Sequence, residues 1–240
     1  MNKKILNKRI RELLCLGYSI VFNFHYLPFR QAKKLPILFE CRPTFVSLKG
    51  KVILDTKKLK TGMVAFGNNG SPIEARRDFR WQNNEGGTII FKGNCRIGCN
   101  SFISCNKGAV IEFGEDCKFN HGTRIISSCK IVFGDDARVS WRCTFIDTDF
   151  HPIVDMMSGS QMKQDIPVIL GREVWIGHDS IISKGTKIAD ENIVSSGSVV
   201  KGVFKKKNTI IGGNLAKVLT EGYCRAESYN KDSSHLMIDG

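Results

Sequence analysis

The stretch LGREVWIGHDSIISKGTKIADENIVSSGSVVK, residues 170–201, repeats with a period of six. Leu170, Ile176, Ile182, Ile188, Val194 and Val200 stand six apart, and Gly171, Gly177, Ser183, Ala189 and Ser195 follow the first five of them. An α-helix does not produce this spacing, because six residues fall well off a multiple of its 3.6-residue turn. A short strand ending in a corner does. One aliphatic side chain per hexad points inward, and the small residue beside it lets the chain turn tightly. Three hexads make one triangular coil, and successive coils stack as parallel strands. A single coil cannot bury its apolar face, so the array must run over several coils and be capped.

Working outward, the same period continues toward the N-terminus with some slack. Phe91, Ile97 and Ile103 form one set, Phe113, Phe119, Ile125 and Ile131 a second, and Phe133, Val139 and Phe145 a third. FKGNCRIG, FGEDCKFN and FGDDARVS start at Phe91, Phe113 and Phe133, about one coil apart. The pattern predicts an all-β solenoid of hexapeptide repeats over residues 88–219. Residues 148–167 interrupt the hexads and are expected to project as a loop. Residues 61–87 are polar and Gly-rich, which suggests loops and a lead-in strand. Residues 220–240 read as a tail or a short helix.

The 240 residues carry 36 Lys/Arg against 23 Asp/Glu, a net charge of +13. Residues 1–60 hold 14 of the basic residues against Glu12, Glu40 and Asp55, so this quarter alone is +11. A nucleic-acid enzyme would spread positive charge around its main domain, so no nucleic-acid partner is expected. A basic leading segment suits an anionic membrane surface. Residues 1–27 read as an amphipathic helix. Leu6, Ile10, Leu13, Leu14, Gly17, Ile20, Val21 and Phe24 fall on one face, with Lys3, Lys4, Asn7, Lys8, Arg11 and Glu12 on the other. Such a helix either lies on a membrane or caps the solenoid. Leu13–Phe24 is too short and too polar to span a bilayer. The nine cysteines form no C-x-x-C pair, so neither a disulfide framework nor a zinc knuckle is expected. A cytoplasmic protein with buried free thiols fits, with possible contact at the inner face of the membrane.

The hexads in VWIGHDSIISKGTKIADENIVSSGSVV, followed by GGNLAKVL, resemble the hexapeptide-repeat acyltransferases. The resemblance implies a left-handed parallel β-helix, acetyl-CoA as cosubstrate, no metal, and a homotrimer with sites between protomers. DTDFHP at 147–152 looks like the sugar O-acetyltransferases of that family, the galactoside and maltose enzymes among them. FHYLPFRQAKKLP is similar to the lead segment of capsule and lipopolysaccharide acetyltransferases. The expected reaction moves an acetyl group to a sugar or glycan hydroxyl during surface polysaccharide synthesis.

Transfer of an acyl group to a hydroxyl needs a base, and a neutral imidazole suits that task near pH 7. The resemblance assigns it to His151. An aspartate nearby would hold the ring, and spacing does not choose between Asp147 and Asp149. Asn120 matches an acceptor-binding position, although Ser128 stands where relatives carry an acceptor-binding Asp. Trp175, Gly177 and His178 form the donor corner, where a backbone N–H at His178 would face the developing oxyanion. Ser196 matches a second donor contact, and Lys217 a position that meets the donor phosphates. Lys205, Lys206 and Lys207 would either join it or form a solvated run. Cys95 and Cys117 recur in register, which marks an interior ladder rather than nucleophiles. Two other readings use the same fold. A metal hydratase similar to the gamma-class carbonic anhydrases would need three His from two protomers and would draw on His121, His151 and His178, although the close H-x4-H spacing of that family is missing, and a non-catalytic scaffold would need no site at all.

Overall fold

The computed structural model describes the backbone of residues 3–68 and 78–232 and the side chains of residues 13–67 and 78–229. Among these residues the strands form sheets of nine, seven and seven members, here A, B and C. The chain visits A, B and C in turn, and every third strand pairs in parallel with its predecessor. The result is a parallel β-helix. Seven coils span residues 37–54, 64–91, 95–113, 117–133, 138–170, 175–188 and 193–204. Thr209–Gly213 extends sheet A once more, and Ala216–Glu221 returns antiparallel beside it.

The solenoid therefore begins at Ile37, well before the expected boundary at 88. Residues 37–54 and 64–91, read as an N-terminal segment and a lead-in, are its first two coils; residues 69–77 lie outside the described ones. The period of six is missing there for a physical reason. The strands Arg42–Leu48 and Asp78–Asn83 have seven and six residues, not two to four. They bring Phe45, Phe79 and Trp81 into edge-on, stacked and tilted contact with Phe39 and Phe66 of the neighbouring sheet A strands. Further along, Phe91, Phe113 and Phe133 stack at 4.9 and 5.3 Å, and the ladder then narrows to Leu170 and Ile188. Cys95 and Cys117 pair in register and are fully buried, and burial pushes the Cys117 thiol up to about 12.

The corners are tight. A Cβ at Gly177 would lie 2.5 Å from the Ser196 nitrogen on the next coil, so only glycine fits. Asp179 in the same corner, and Asp116 and Asp136 at others, take the left-handed conformation, which short polar side chains tolerate.

Helix α1 (Lys3–Tyr26) lies across the N-terminal mouth of the stack. Phe22 is fully buried against Phe39, Phe45 and Trp81. The first strand of sheet A would otherwise present an unpaired edge, and helix side chains pair it. Ser19 Oγ accepts from the Phe39 N–H at 2.9 Å, and Asn23 Nδ2 donates to the Ile37 carbonyl at 2.6 Å. Among the described side chains the expected apolar stripe does not perform this capping; those of Leu6 and Ile10 lie outside the described ones. Leu13, Leu14, Ile20, Val21 and Phe24 face solvent, while Cys15, Ser19, Phe22 and Asn23 face the solenoid. A free strand edge requires polar partners, so the face bearing Ser19 and Asn23 is turned inward.

A one-turn helix, α2 (Phe29–Ala32), leads into the first coil. After the last strand the chain folds back along sheet A into helix α3 (Ala226–Asp232). Buried Arg225 anchors this return, donating to the Asp136 carbonyl at 3.2 Å and to its carboxylate at 3.0 Å. Residues 233–240 lie outside the described ones.

Candidate active site

The triangular coil has three long edges, and each collects a different chemistry. The edge between sheets A and B carries Asn120, His121, Trp141, Arg142, Gly177, His178 and Ser196. The rings of His121, Trp141 and His178 lie parallel to one another, with centroids 6.3 and 4.9 Å apart. His178 Nδ1 is 2.8 Å from an Asp179 carboxylate oxygen, and Arg142 donates two bonds of 2.7 Å to the same carboxylate. The Arg142 guanidinium, with His178, holds the Asp179 carboxyl well below the usual range. The N–H groups of His178 and Ser196 lie at successive coils and bond to no described residue, whereas their neighbours Gly177, Asp179 and Gly197 all donate within the corner. Two backbone donors one strand spacing apart suit a ligand with carbonyl or amide oxygens.

Trp175 lies on the outer face of sheet A, 41% exposed, with Nε1 3.3 Å from Ser140 Oγ. Together with Arg138, Cys224 and Arg225 it lines a cleft of about 430 Å³ beneath the returning C-terminal segment. Lys217 lies exposed on the terminal hairpin opposite Gly212, two coils beyond His178 in sheet A. Lys205, Lys206 and Lys207 follow sheet C instead, on the edge between C and A. Lys206 pairs with Glu221, and Lys207 lies 3.8 Å from Asp190 and Glu191. Lys206 and Lys207 thus answer local acids.

The edge between B and C carries the projecting loop, which leaves sheet B after Ile146 and rejoins sheet C at Val168. His151 is exposed at its root, and its backbone N–H donates to the Asp149 carbonyl at 2.7 Å. Neither aspartate bonds to its ring within this protomer. Asp147 is fully buried and accepts from Ser127 Oγ at 2.6 Å, the Ser128 N–H at 2.7 Å and the Cys129 N–H at 3.1 Å. Asp149 pairs with Lys184, whose ammonium also donates to the Lys163 carbonyl at 2.7 Å. Lys184 is 5% exposed and ties both arms of the loop to the next coil. Sequence reading overlooked it, since a lysine at a hexad corner looks like any solvated charge. Trp141 was overlooked too, although a signal was available: His121, Trp141 and His178 each stand two residues after an inward residue of sheet A, Phe119, Val139 and Ile176.

Within one chain, His151 and the donor edge are separated by the width of sheet B. His121 and His178 flank Trp141 while His151 stands on another edge, so a single chain does not bring the three together. Among the described residues no group of three or more His, Cys, Asp or Glu is placed to hold a metal.

No family model matches the chain. An uncharacterized 24.8 kDa protein in the cps region of Klebsiella pneumoniae is 31% identical over 224 residues, covering 90% of this chain and 91% of that one. The putative lipopolysaccharide biosynthesis O-acetyl transferase WbbJ of Escherichia coli K12 is 26% identical over 141 residues, 55% of this chain and 71% of that one. The crystal structure of the polySia-specific acetyltransferase NeuO shares the fold, with a TM-score of 0.52 at 21% identity over 85% of this chain and 91% of that one. The chain belongs to one family with the cps-region protein, and its named relatives and its parallel β-helix are those of hexapeptide-repeat O-acetyltransferases.

Proposed function

We propose that this protein transfers an acetyl group to a hydroxyl of a sugar or glycan intermediate in surface polysaccharide synthesis. The observation that carries the reading is the pair of backbone N–H groups at His178 and Ser196 that bond to no described residue, on a solenoid whose projecting loop presents an exposed His151. Acetyl-CoA supplies the acyl group as a thioester. His151 accepts the proton of the acceptor hydroxyl as that oxygen attacks the carbonyl carbon. The His178 N–H donates to the charge developing on the carbonyl oxygen, and the Ser196 N–H holds the donor arm. Lys217 meets the donor phosphates, Trp175 walls the site, and Asn120 contacts the acceptor. Asp149 acts through Lys184 by fixing the loop that carries His151, while Asp147 fixes the strand end beneath it. Transfer is direct, from thioester to hydroxyl: burial pushes Cys105 and Cys117 up to about 12 and Cys143 to about 11, so none of these three is a ready nucleophile.

The separation of His151 from the A/B edge supports a homotrimer, in which the loop edge of one protomer meets the donor edge of the next. The nine unpaired cysteines suit a reducing, cytoplasmic setting. Among the described residues no helix is long and apolar enough to cross a membrane. Steady-state acetyl transfer by His151→Ala tests the proposal. The expected outcome is a loss of about 10²–10⁴-fold in turnover with unchanged thermal melting. Near-normal turnover would remove His151 from the mechanism.

A further inference from the structure

Helix α1 has two faces with different fates. The face bearing Cys15, Ser19, Phe22 and Asn23 closes the solenoid and pairs its first strand edge. Nothing described covers the opposite face. Leu13 is 68% exposed, Leu14 59%, Val21 61% and Phe24 47%, and Phe29 of α2, 69% exposed, extends the patch with its ring centroid 6.0 Å from that of Phe24. Large apolar side chains exposed in a row along a helix mark an interaction surface rather than ordinary surface scatter. Because α1 lies across the end of the stack, the patch looks away from the coils along the solenoid axis.

The charge around the patch selects its partner. Exposed Arg30 in α2, with Lys33 and Lys34 just after it, follows the helix, and residues 1–60 as a whole carry a net charge of +11. A second copy of this chain would bring the same positive charge against itself. An anionic lipid surface offers headgroups for the basic residues and an acyl boundary for the apolar row, the arrangement of an in-plane amphipathic helix. We infer that the outward face of α1, continued by Phe29, seats the protein end-on upon an anionic bilayer, with the solenoid standing away from it. This deepens the acetyl-transfer reading by placing the acceptor sugar on a lipid carrier at that surface, and in that respect rests on it. The docking itself stands on the helix alone.

The test is flotation of the full chain with vesicles of mixed phosphatidylglycerol and phosphatidylcholine, against phosphatidylcholine alone. The wild type is expected to float with the anionic vesicles, less so as salt screens the basic residues. L13Q/V21Q/F24Q alters only exposed positions. It is expected to lose binding by about tenfold or more while keeping its melting temperature, its solution mass and acetyl transfer to a soluble sugar. V21Q alone serves if the triple variant does not fold. Wild-type protein that stays unbound at low salt, or variants that float as well as the wild type, would overturn the inference. A change of solution mass in the variants would also overturn it, and would make this face a contact between copies of the chain. Soluble-sugar transfer is read separately, so failure of the docking and failure of the enzyme reading are distinguishable.

Discussion

Asp147 and His151 stand four residues apart in one motif, yet the structure gives them different work. The Asp147 carboxylate is fully buried and accepts three hydrogen bonds, so Asp147→Ala leaves a hydroxyl and two amides without their acceptor. That substitution is expected to lower stability by about 3 kcal/mol or more, measured by urea unfolding. Asp179 supports a pH prediction. Its folded-state pKa is depressed, so its contribution is full above the unfolded value of about 3.9 and fades as pH falls through the folded one. The stability gap between wild type and Asp179→Asn should therefore shrink as pH falls below 4, followed by chemical denaturation. A gap that widens below pH 4 would contradict the Arg142–Asp179 link. At this scale the sequence disclosed positions better than partners. The hexad register placed His178 and Ser196 at one corner, but Lys184 beneath Asp149 is a contact between residues 35 apart that no local pattern reveals.

The elements repeat that lesson. Residues 170–201 were legible because each strand there is two residues long with one inward aliphatic, so the period survives in the chain. The first two coils were not legible, because their longer strands carry several inward aromatics and the count of six is lost. The register of α1 was misread for a related reason. Hydrophobic periodicity finds the most apolar face, whereas a sheet edge asks for hydrogen bonds, and Ser19 with Asn23 answered it. Asn23→Leu should then cost about 2 kcal/mol by stranding the buried Ile37 N–H and carbonyl. Phe22→Ala should cost about 3–5 kcal/mol, because its ring fills the mouth of the stack. Thermal melts of the two variants beside V21Q check both, with V21Q expected near the wild type.

For the whole molecule, the two edges predict complementation. Chains carrying His151→Ala, refolded together with chains carrying Lys217→Glu, should regain acetyl transfer at subsaturating acetyl-CoA that exceeds the sum of the two unmixed preparations, because some interfaces pair an intact loop with an intact donor edge. Strictly additive activity would place the complete site within one protomer.

The regular rise of the stack has a consequence of its own. The loop bearing His151 springs from the fifth coil, four strand spacings from the first, roughly 19 Å. Each coil is one rigid increment, so the height of the reacting group above the helix-capped end is a count of coils and not a matter of posture. For a growing glycan tethered at that end, the solenoid is a yardstick: it selects which residue along the polymer is presented for modification, and deleting one coil would shift the chosen residue toward the tether by roughly 5 Å of reach.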